Sequence, residues 1–219
     1  AANFYDNPSE KLALVGITGT NGKTTIATLL HQLFTKAGYK AGLLSTVKVV
    51  VGTQEHPATH TTPDSIAINQ YLNEMVQAGC SYCFMEVSSH GIAQKRTAAL
   101  HFKGGVFTNL SHDHLDYHKT FAEYRNVKKS FFDSLAKTSF AISNADDKNG
   151  AYMLQNCSAN KITYSIQNVA DQQAKIIESQ FNGMLLNINN NEVWVQLIGK
   201  FNASNLLAIY TVATELGLT

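Results

Sequence analysis

Along most of the chain, short apolar runs alternate with stretches whose apolar positions recur at helical spacing. The first run, Leu12-Ala-Leu-Val15, suits a buried strand and leads straight into a glycine-rich segment, residues 16–25. A helix is expected from there to about residue 37, closed by Gly38, because glycine readily takes the left-handed conformation that ends helices. A strand is expected near residues 41–51, followed by a polar loop to about Pro63. Over residues 64–79 the apolar positions Ile66, Ile68, Leu72 and Val76 predict a second helix, with Gly79 closing it. The runs at 82–87 and 105–110 are too short for helices and read as buried strands. Beyond them the pattern predicts a helix at 120–136, a strand at 140–144, a short helix at 147–155 and a strand at 161–165. From about Ala174 the pattern changes: residues 183–189 and 192–197 flank Asn190 and Asn191 and predict an antiparallel hairpin, and a helix over 201–216 follows. Alternating helix and strand predicts an α/β fold, a mainly parallel sheet flanked by helices, with a small antiparallel hairpin region late in the chain. Residues 1–10 show no periodicity and carry turn formers, so they read as a linker, leaving 11–219 as one domain.

Composition narrows the function classes. The chain has 219 residues and a net charge of +1, with no basic run, so nothing in it recommends nucleic acid or an anionic membrane as partner. No apolar stretch approaches the ~20 residues that span a bilayer. Three cysteines, an odd number, point to a reducing cytoplasm. Cys80 and Cys83 form a C-x-x-C, but Cys83 lies inside the apolar run Tyr82-Cys-Phe-Met85, which favours buried small hydrophobes over a redox or zinc pair.

Candidate chemistry gathers where strands end, the edge at which open parallel sheets bind ligands. Gly16-Ile-Thr-Gly-Thr-Asn-Gly-Lys-Thr-Thr25 joins a strand to a helix and reads as a polyphosphate cradle. Backbone N–H groups there face anionic oxygens, Lys23 adds a point charge, and Thr24 offers a hydroxyl to magnesium. The spacing departs from GxxxxGK[ST], since five residues separate Gly16 from Gly22, and Gly19 compensates inside the loop. Glu86 ends its strand and is placed to hold magnesium beside Thr24; a glutamate facing solvent is the alternative. Residues 109–118, Asn-Leu-Ser-His-Asp-His-Leu-Asp-Tyr-His, carry three histidines and two aspartates and imply a metal or an anion. His112-x-His114-x-Asp116 also approaches the signature of metallo-β-lactamase-type hydrolases, but Tyr117 stands where that pattern needs histidine, and the reading leaves the phosphate loop unexplained. On the next helix, Phe121, Tyr124, Phe131 and Leu135 share one face with Lys128, while Lys129 projects about 100° away. An inward lysine must snorkel, pair or become a neutral amine, and a neutral amine can add carbon dioxide to give a carbamate; snorkelling is the simpler outcome from the seam alone.

Five segments taken together, Gly-Thr-Asn-Gly-Lys-Thr-Thr (19–25), Thr-Thr-Pro-Asp (61–64), Met-Glu-Val-Ser-Ser-His-Gly (85–91), residues 107–118 and Phe-Asn-Ala-Ser-Asn (201–205), resemble the Mur ligases, above all the branch that adds the third peptide residue in peptidoglycan synthesis. The resemblance covers the central ATPase domain; the family's N-terminal UDP-binding and C-terminal acceptor domains are expected outside this chain. It implies a cytoplasmic ligase that uses ATP to phosphorylate the D-glutamate carboxylate of UDP-MurNAc-L-Ala-D-Glu for attack by a diamino acid, lysine or diaminopimelate. It also implies that Gly19, Thr20, Asn21, Gly22, Lys23, Thr24 and Thr25 hold the nucleotide, with Asn109, Asn202 and Asn205 close to it. Two magnesium ions are implied, one on Thr24 and Glu86, the other on Glu86, His114 and carbamylated Lys128, which reverses the snorkelling preference. Thr61, Thr62, Ser88, Gln94 and Arg96 match positions that grip the muramoyl dipeptide. Related ligases that extend folylpolyglutamate or cyanophycin chains are the rival assignment, and a nucleotide-regulated binding module without turnover is another; the Thr-Thr-Pro-Asp and Ser-Ser-His-Gly segments favour the first reading over those other ligases.

Overall fold

The computed structural model describes residues 1–111 and 117–218, and among them eleven strands join in one sheet. In chain order the elements are β1 (Ala13–Thr18), α1 (Lys23–Lys36), β2 (Ala41–Leu44), β3 (Lys48–Val51), β4 (Gln54–Pro57), α2 (Ser65–Gln77), β5 (Tyr82–Glu86), α3 (Ser89–Ala93) and β6 (Gly104–Phe107). They continue with α4 (Phe121–Asp133), β7 (Phe140–Asn144), α5 (Gly150–Leu154), β8 (Asn160–Ser165), β9 (Gln172–Gln180), β10 (Gly183–Ile188), β11 (Asn191–Val195) and α6 (Lys200–Glu215). Across the sheet the order is β11-β10-β9-β8-β7-β6-β1-β5-β2-β3-β4. From β2 to β9 neighbouring strands run parallel, and each edge ends in antiparallel strands.

Strand alternation sorts the side chains into two cores. Val15, Ile17 and Phe84 join Ile26, Leu30 and Phe34 of α1 and Leu207 and Val212 of α6 on one face. Leu14, Cys83 and Met85 join Leu72 and Met75 of α2 and Phe131 and Phe132 of α4 on the other. The central strands are apolar on both sides, as a sheet covered on both faces requires. All three cysteines are buried free thiols, and desolvation pushes the Cys83 thiol up, in line with their reading as small hydrophobes.

Several expectations change. The strand expected at 41–51 breaks at Ser45, whose Oγ donates to the Lys48 carbonyl (2.8 Å) and accepts from the N–H groups of Val47 (3.3 Å) and Lys48 (3.2 Å), turning the chain back on itself. The polar stretch after it supplies β4, so an antiparallel meander stands at this edge as well as at the late hairpin. The late hairpin turns on Asn189 and Asn190, one residue earlier than expected, because both adopt positive φ (48° and 70°) as a two-residue turn demands. β9 had no counterpart in the sequence pattern. Ile66, expected on the buried face of α2, is 63% exposed, and Met75 takes an inward position instead. Residues 1–10 form two 3-10 turns that pack on α2 and β1, with Ser9 Oγ accepting from His101 N–H at 3.0 Å. Among the described residues no helix is long and apolar enough to cross a membrane.

Candidate active site

The loop between β1 and α1 is built around Gly19. At φ 147°, a Cβ there would lie 1.9 Å from Thr108 Oγ1, so only glycine fits. The loop is pinned to the segment after β6: Thr20 N–H donates to Asn109 O (2.8 Å), Asn21 N–H to Asn109 Oδ1 (2.9 Å), and Asn109 Nδ2 to Asn21 O (3.1 Å). Thr108 Oγ1 adds a bond to Asn21 O (2.6 Å), and Thr20 Oγ1 lies 3.2 Å from the buried hydroxyl of Tyr124 on α4. Gly16, which opens the motif in the sequence, is not part of the loop; it lies within β1, paired with Met85 and Gly105.

Two ammonium groups converge on this loop. Lys23 Nζ donates to Gly19 O (2.9 Å) and Thr20 O (2.7 Å), and Lys128 Nζ donates to the same Gly19 O (3.0 Å), with Thr18 Oγ1 at 3.4 Å. Lys128 is 1% exposed, and its Nζ lies 4.9 Å from the centre of the Tyr124 ring, so the helical seam directed it correctly. Lys129 projects elsewhere, as expected, but is buried too: its Nζ donates to Asp133 Oδ1 (2.5 Å) and Gln155 O (2.6 Å).

Beside these cations lies a cleft of about 310 Å³, lined among others by Lys23, Thr24, Thr61, Glu86, Arg96 and Lys128. Glu86 does not face solvent. It is wholly buried, and strand parity sends it to the α1 side, as it does Phe84 two residues before. Its carboxylate accepts from Thr46 N–H at Oε1 (2.7 Å) and from Thr46 Oγ1 at Oε2 (3.1 Å). Among the described residues no cation pairs with it. A buried carboxylate held by two neutral donors keeps lone pairs directed at the cleft, and oxygen donors of this kind beside the Thr24 hydroxyl fit a magnesium ion. His114, with His112, Asp113 and Asp116, lies outside the described residues.

The rest of the lining comes from the segment before α2, from the start of α3 and from Arg96 just beyond it. Thr62 Oγ1 donates to Glu86 O (2.9 Å) and accepts from Ser88 N–H (2.9 Å), so its hydroxyl braces the wall. Ser88 Oγ caps α3 by accepting from Gly91 N–H. Arg96 donates from Nη1 to Thr62 O (2.6 Å) and through Nε and Nη2 to Gln94 Oε1 (2.8 and 2.5 Å), which fixes the plane of its guanidinium at the cleft. Gln94 itself is outside the cleft lining and acts on it through Arg96.

Across the phosphate loop lies a second depression of about 570 Å³, lined among others by Asn21, Gly22, Thr25, Asn109 and Asn205. Asn205 reaches so close that a Cβ on Gly22 would lie 2.6 Å from its Oδ1. Asn202 is not in this lining; its side chain turns back to donate to Ile198 O at 2.8 Å. Thr46 and Tyr124 join the site without a signal in the sequence pattern: Thr46 falls within the apolar stretch 41–51 that reads as one strand, and Tyr124 occupies an apolar seam position of α4.

Residues 17–213 match the family profile described as the Mur ligase middle domain. A relative from Phocaeicola vulgatus named UDP-N-acetylmuramoyl-L-alanyl-D-glutamate–2,6-diaminopimelate ligase is 58% identical over 217 residues, covering 99% of this chain and 45% of that protein. One of the same name from Cytophaga hutchinsonii is 55% identical, with the same coverage. A solved structure of a protein so named superposes with a TM-score of 0.82 at 30% identity, covering 95% of this chain and 44% of that one. The chain thus spans a little under half the length of these relatives.

Proposed function

The chain belongs to the family of Mur ligase middle domains, and on that premise we propose that it is the carboxylate-activating ATPase unit of a cytoplasmic ligase of the MurE type. Residues 11–219 are that central domain and residues 1–10 the linker into it. The substrate is UDP-MurNAc-L-Ala-D-Glu. A D-glutamate carboxylate oxygen attacks the γ-phosphorus of ATP, the bond to the departing ADP breaks, and an acyl phosphate forms. The amine of a diamino acid then attacks the acyl carbon, phosphate leaves, and the amine gives up a proton. The names of the relatives favour diaminopimelate over lysine. UDP-binding and acceptor domains of the same polypeptide complete the enzyme.

The observation that carries this reading is the cleft itself, whose lining brings together the amino groups of Lys23 and Lys128, buried Glu86 and Arg96. Loop residues Gly19 to Thr25 hold the phosphates with backbone N–H groups and the Lys23 charge, and Asn109 and Asn205 border the nucleoside side, with Asn202 one helical turn before it. Arg96, braced by Gln94, receives the substrate carboxylate, while Thr61, Thr62 and Ser88 form the wall against which the dipeptide lies. Bound magnesium supplies charge neutralisation to the transferring phosphoryl group. Thr24, Glu86, His114 and Lys128 are the side chains that would hold it at two sites, Lys128 as a carbamate formed when its neutral amine adds to carbon dioxide with release of one proton. These groups act by position and charge, the main demands of phosphoryl transfer.

Hydrogen exchange tests the reading on the chain itself. ATP with magnesium should protect residues 19–25, and UDP-MurNAc-L-Ala-D-Glu should protect Thr61, Ser88 and Arg96. Nucleotide protection without any dipeptide effect at those three residues would count against the MurE assignment; no protection of the loop would sink the nucleotide site.

A further inference from the structure

We propose that Thr46 is a positioning residue that sets the orientation of the Glu86 carboxylate and ties it to the dipeptide wall, an inference that rests on reading Glu86 as a magnesium ligand. Thr46 presents two donors to one carboxylate, its N–H to Oε1 at 2.7 Å and its hydroxyl to Oε2 at 3.1 Å. Two donors from one residue fix the plane of the carboxylate, which a single bond would leave free to rotate. The N–H can point there because the Ser45 hydroxyl bonds the turn on three sides, holding residue 46 at its tip. A hydroxyl has one proton to give. Its geometry also directs that proton at Thr61 Oγ1, 3.2 Å away, but the charged Oε2 at 3.1 Å is the stronger acceptor, so Thr61, Thr46 and Glu86 stand in one row from substrate wall to metal ligand. Both carboxylate oxygens then keep their remaining lone pairs aimed into the cleft, as a ligand held by an outer hydrogen bond does.

Mn²⁺ binding to the 219-residue chain, read by electron paramagnetic resonance with a non-hydrolysable ATP analogue present, tests this. Glu86→Gln should weaken Mn²⁺ binding most. Thr46→Val, which keeps shape and N–H but removes the hydroxyl, should weaken it roughly 10- to 100-fold, the usual effect of losing an outer-shell partner, and Thr46→Ser should restore it to within about threefold. Thr46→Ala provides a second deletion of the hydroxyl, and affinity for the analogue without metal should stay unchanged in all the Thr46 variants. Wild-type Mn²⁺ affinity in Thr46→Val and Thr46→Ala, alongside a clear loss in Glu86→Gln, would overturn the role of Thr46 and leave the metal site standing. No loss in Glu86→Gln would remove Glu86 as a ligand, and the role of Thr46 with it.

Discussion

Replacing Gly16 with alanine separates packing from phosphate binding. In the sequence this glycine opens the phosphate-loop motif, whereas in the fold it is a strand residue whose bare Cα lies under two aromatic rings. A Cβ there would sit 2.7 Å from Phe131 Cζ, 2.9 Å from Phe102 Cε1 and 3.0 Å from Val87 Cγ2. The two rings meet edge to face with centroids 5.0 Å apart, so neither moves without disturbing the other. Gly16 is not among the positive-φ residues, so alanine meets no backbone strain and the cost is steric. Overpacking of this kind costs about 1–3 kcal/mol, while the lower entropy of the unfolded chain returns about 0.4–1 kcal/mol. A net loss of about 1–2 kcal/mol corresponds to a fall in Tm of roughly 2–8 °C for a chain of this size. Phe131→Leu should relieve the clash, giving a favourable coupling of about 1 kcal/mol in the double variant. Urea titration of the four proteins measures the cycle, and a fluorescent ATP analogue measures the loop; affinity should be unchanged in folded Gly16→Ala. A variant of wild-type stability that has lost the analogue would refute the packing role and return Gly16 to the cradle.

The remaining predictions concern the cleft and one half-buried base. Lys128→Ala in the intact enzyme should lower kcat by on the order of 10²-fold or more, as expected for loss of a charged group at transferring phosphate, with partial rescue by small carboxylic acids filling the carbamate position. Unchanged activity would return Lys128 to a structural role. Arg96→Lys should raise KM for UDP-MurNAc-L-Ala-D-Glu about 10- to 100-fold through loss of the planar fork, with KM for ATP unchanged; equal effects on both substrates would argue against its place on the dipeptide wall. His31 on α1 has its pKa lowered, chiefly by burial and further by Lys48, with the Ala41 backbone and Glu55 opposing. Unfolded chain therefore binds this proton more readily than folded chain, so the contribution of His31 is full above its ordinary value of 6.5 and declines as pH falls below it. Urea midpoints between pH 7.5 and 5 should drop less steeply in His31→Gln; identical slopes would remove His31 as a source of acid sensitivity.

How far the sequence anticipates this fold depends on how local each signal is. β7 matches its expected span, and α1, α4 and α6 lie within a few residues of theirs, because apolar period and capping residues act within one element; Thr120, for example, caps α4 by accepting from Glu123 N–H. The stretch 41–51 failed because β-branched and apolar residues run on both sides of the Ser45 turn, and the side-chain bonds that make the turn leave no mark in the apolar pattern. β9 failed for another reason. Six of its nine residues are polar, and it takes its place by pairing with β8 and β10, partners the local pattern cannot nominate.

The site shows the same division at the level of single side chains. A helical period fixes direction: it turns Lys128 inward and Lys129 to another face, and only the folded chain shows that inward means the Gly19 carbonyl of the phosphate loop. It says nothing about cover. Lys129 is buried because the Gln155 carbonyl just beyond α5 and the Asp133 carboxylate close over a second face of α4, and that closure is a property of two helices. Glu86 follows the same logic on a strand. The alternation that sends Phe84 into the α1 core sends Glu86 to that side two residues later, so the direction of a strand-end acid can be read from the apolar residue before it. Its burial comes with a turn forty residues earlier in the chain, where Thr46 supplies both donors to the carboxylate. Candidate side chains are therefore legible where a strand or helix aims them, and residues that hold them in place emerge only when the turns are closed.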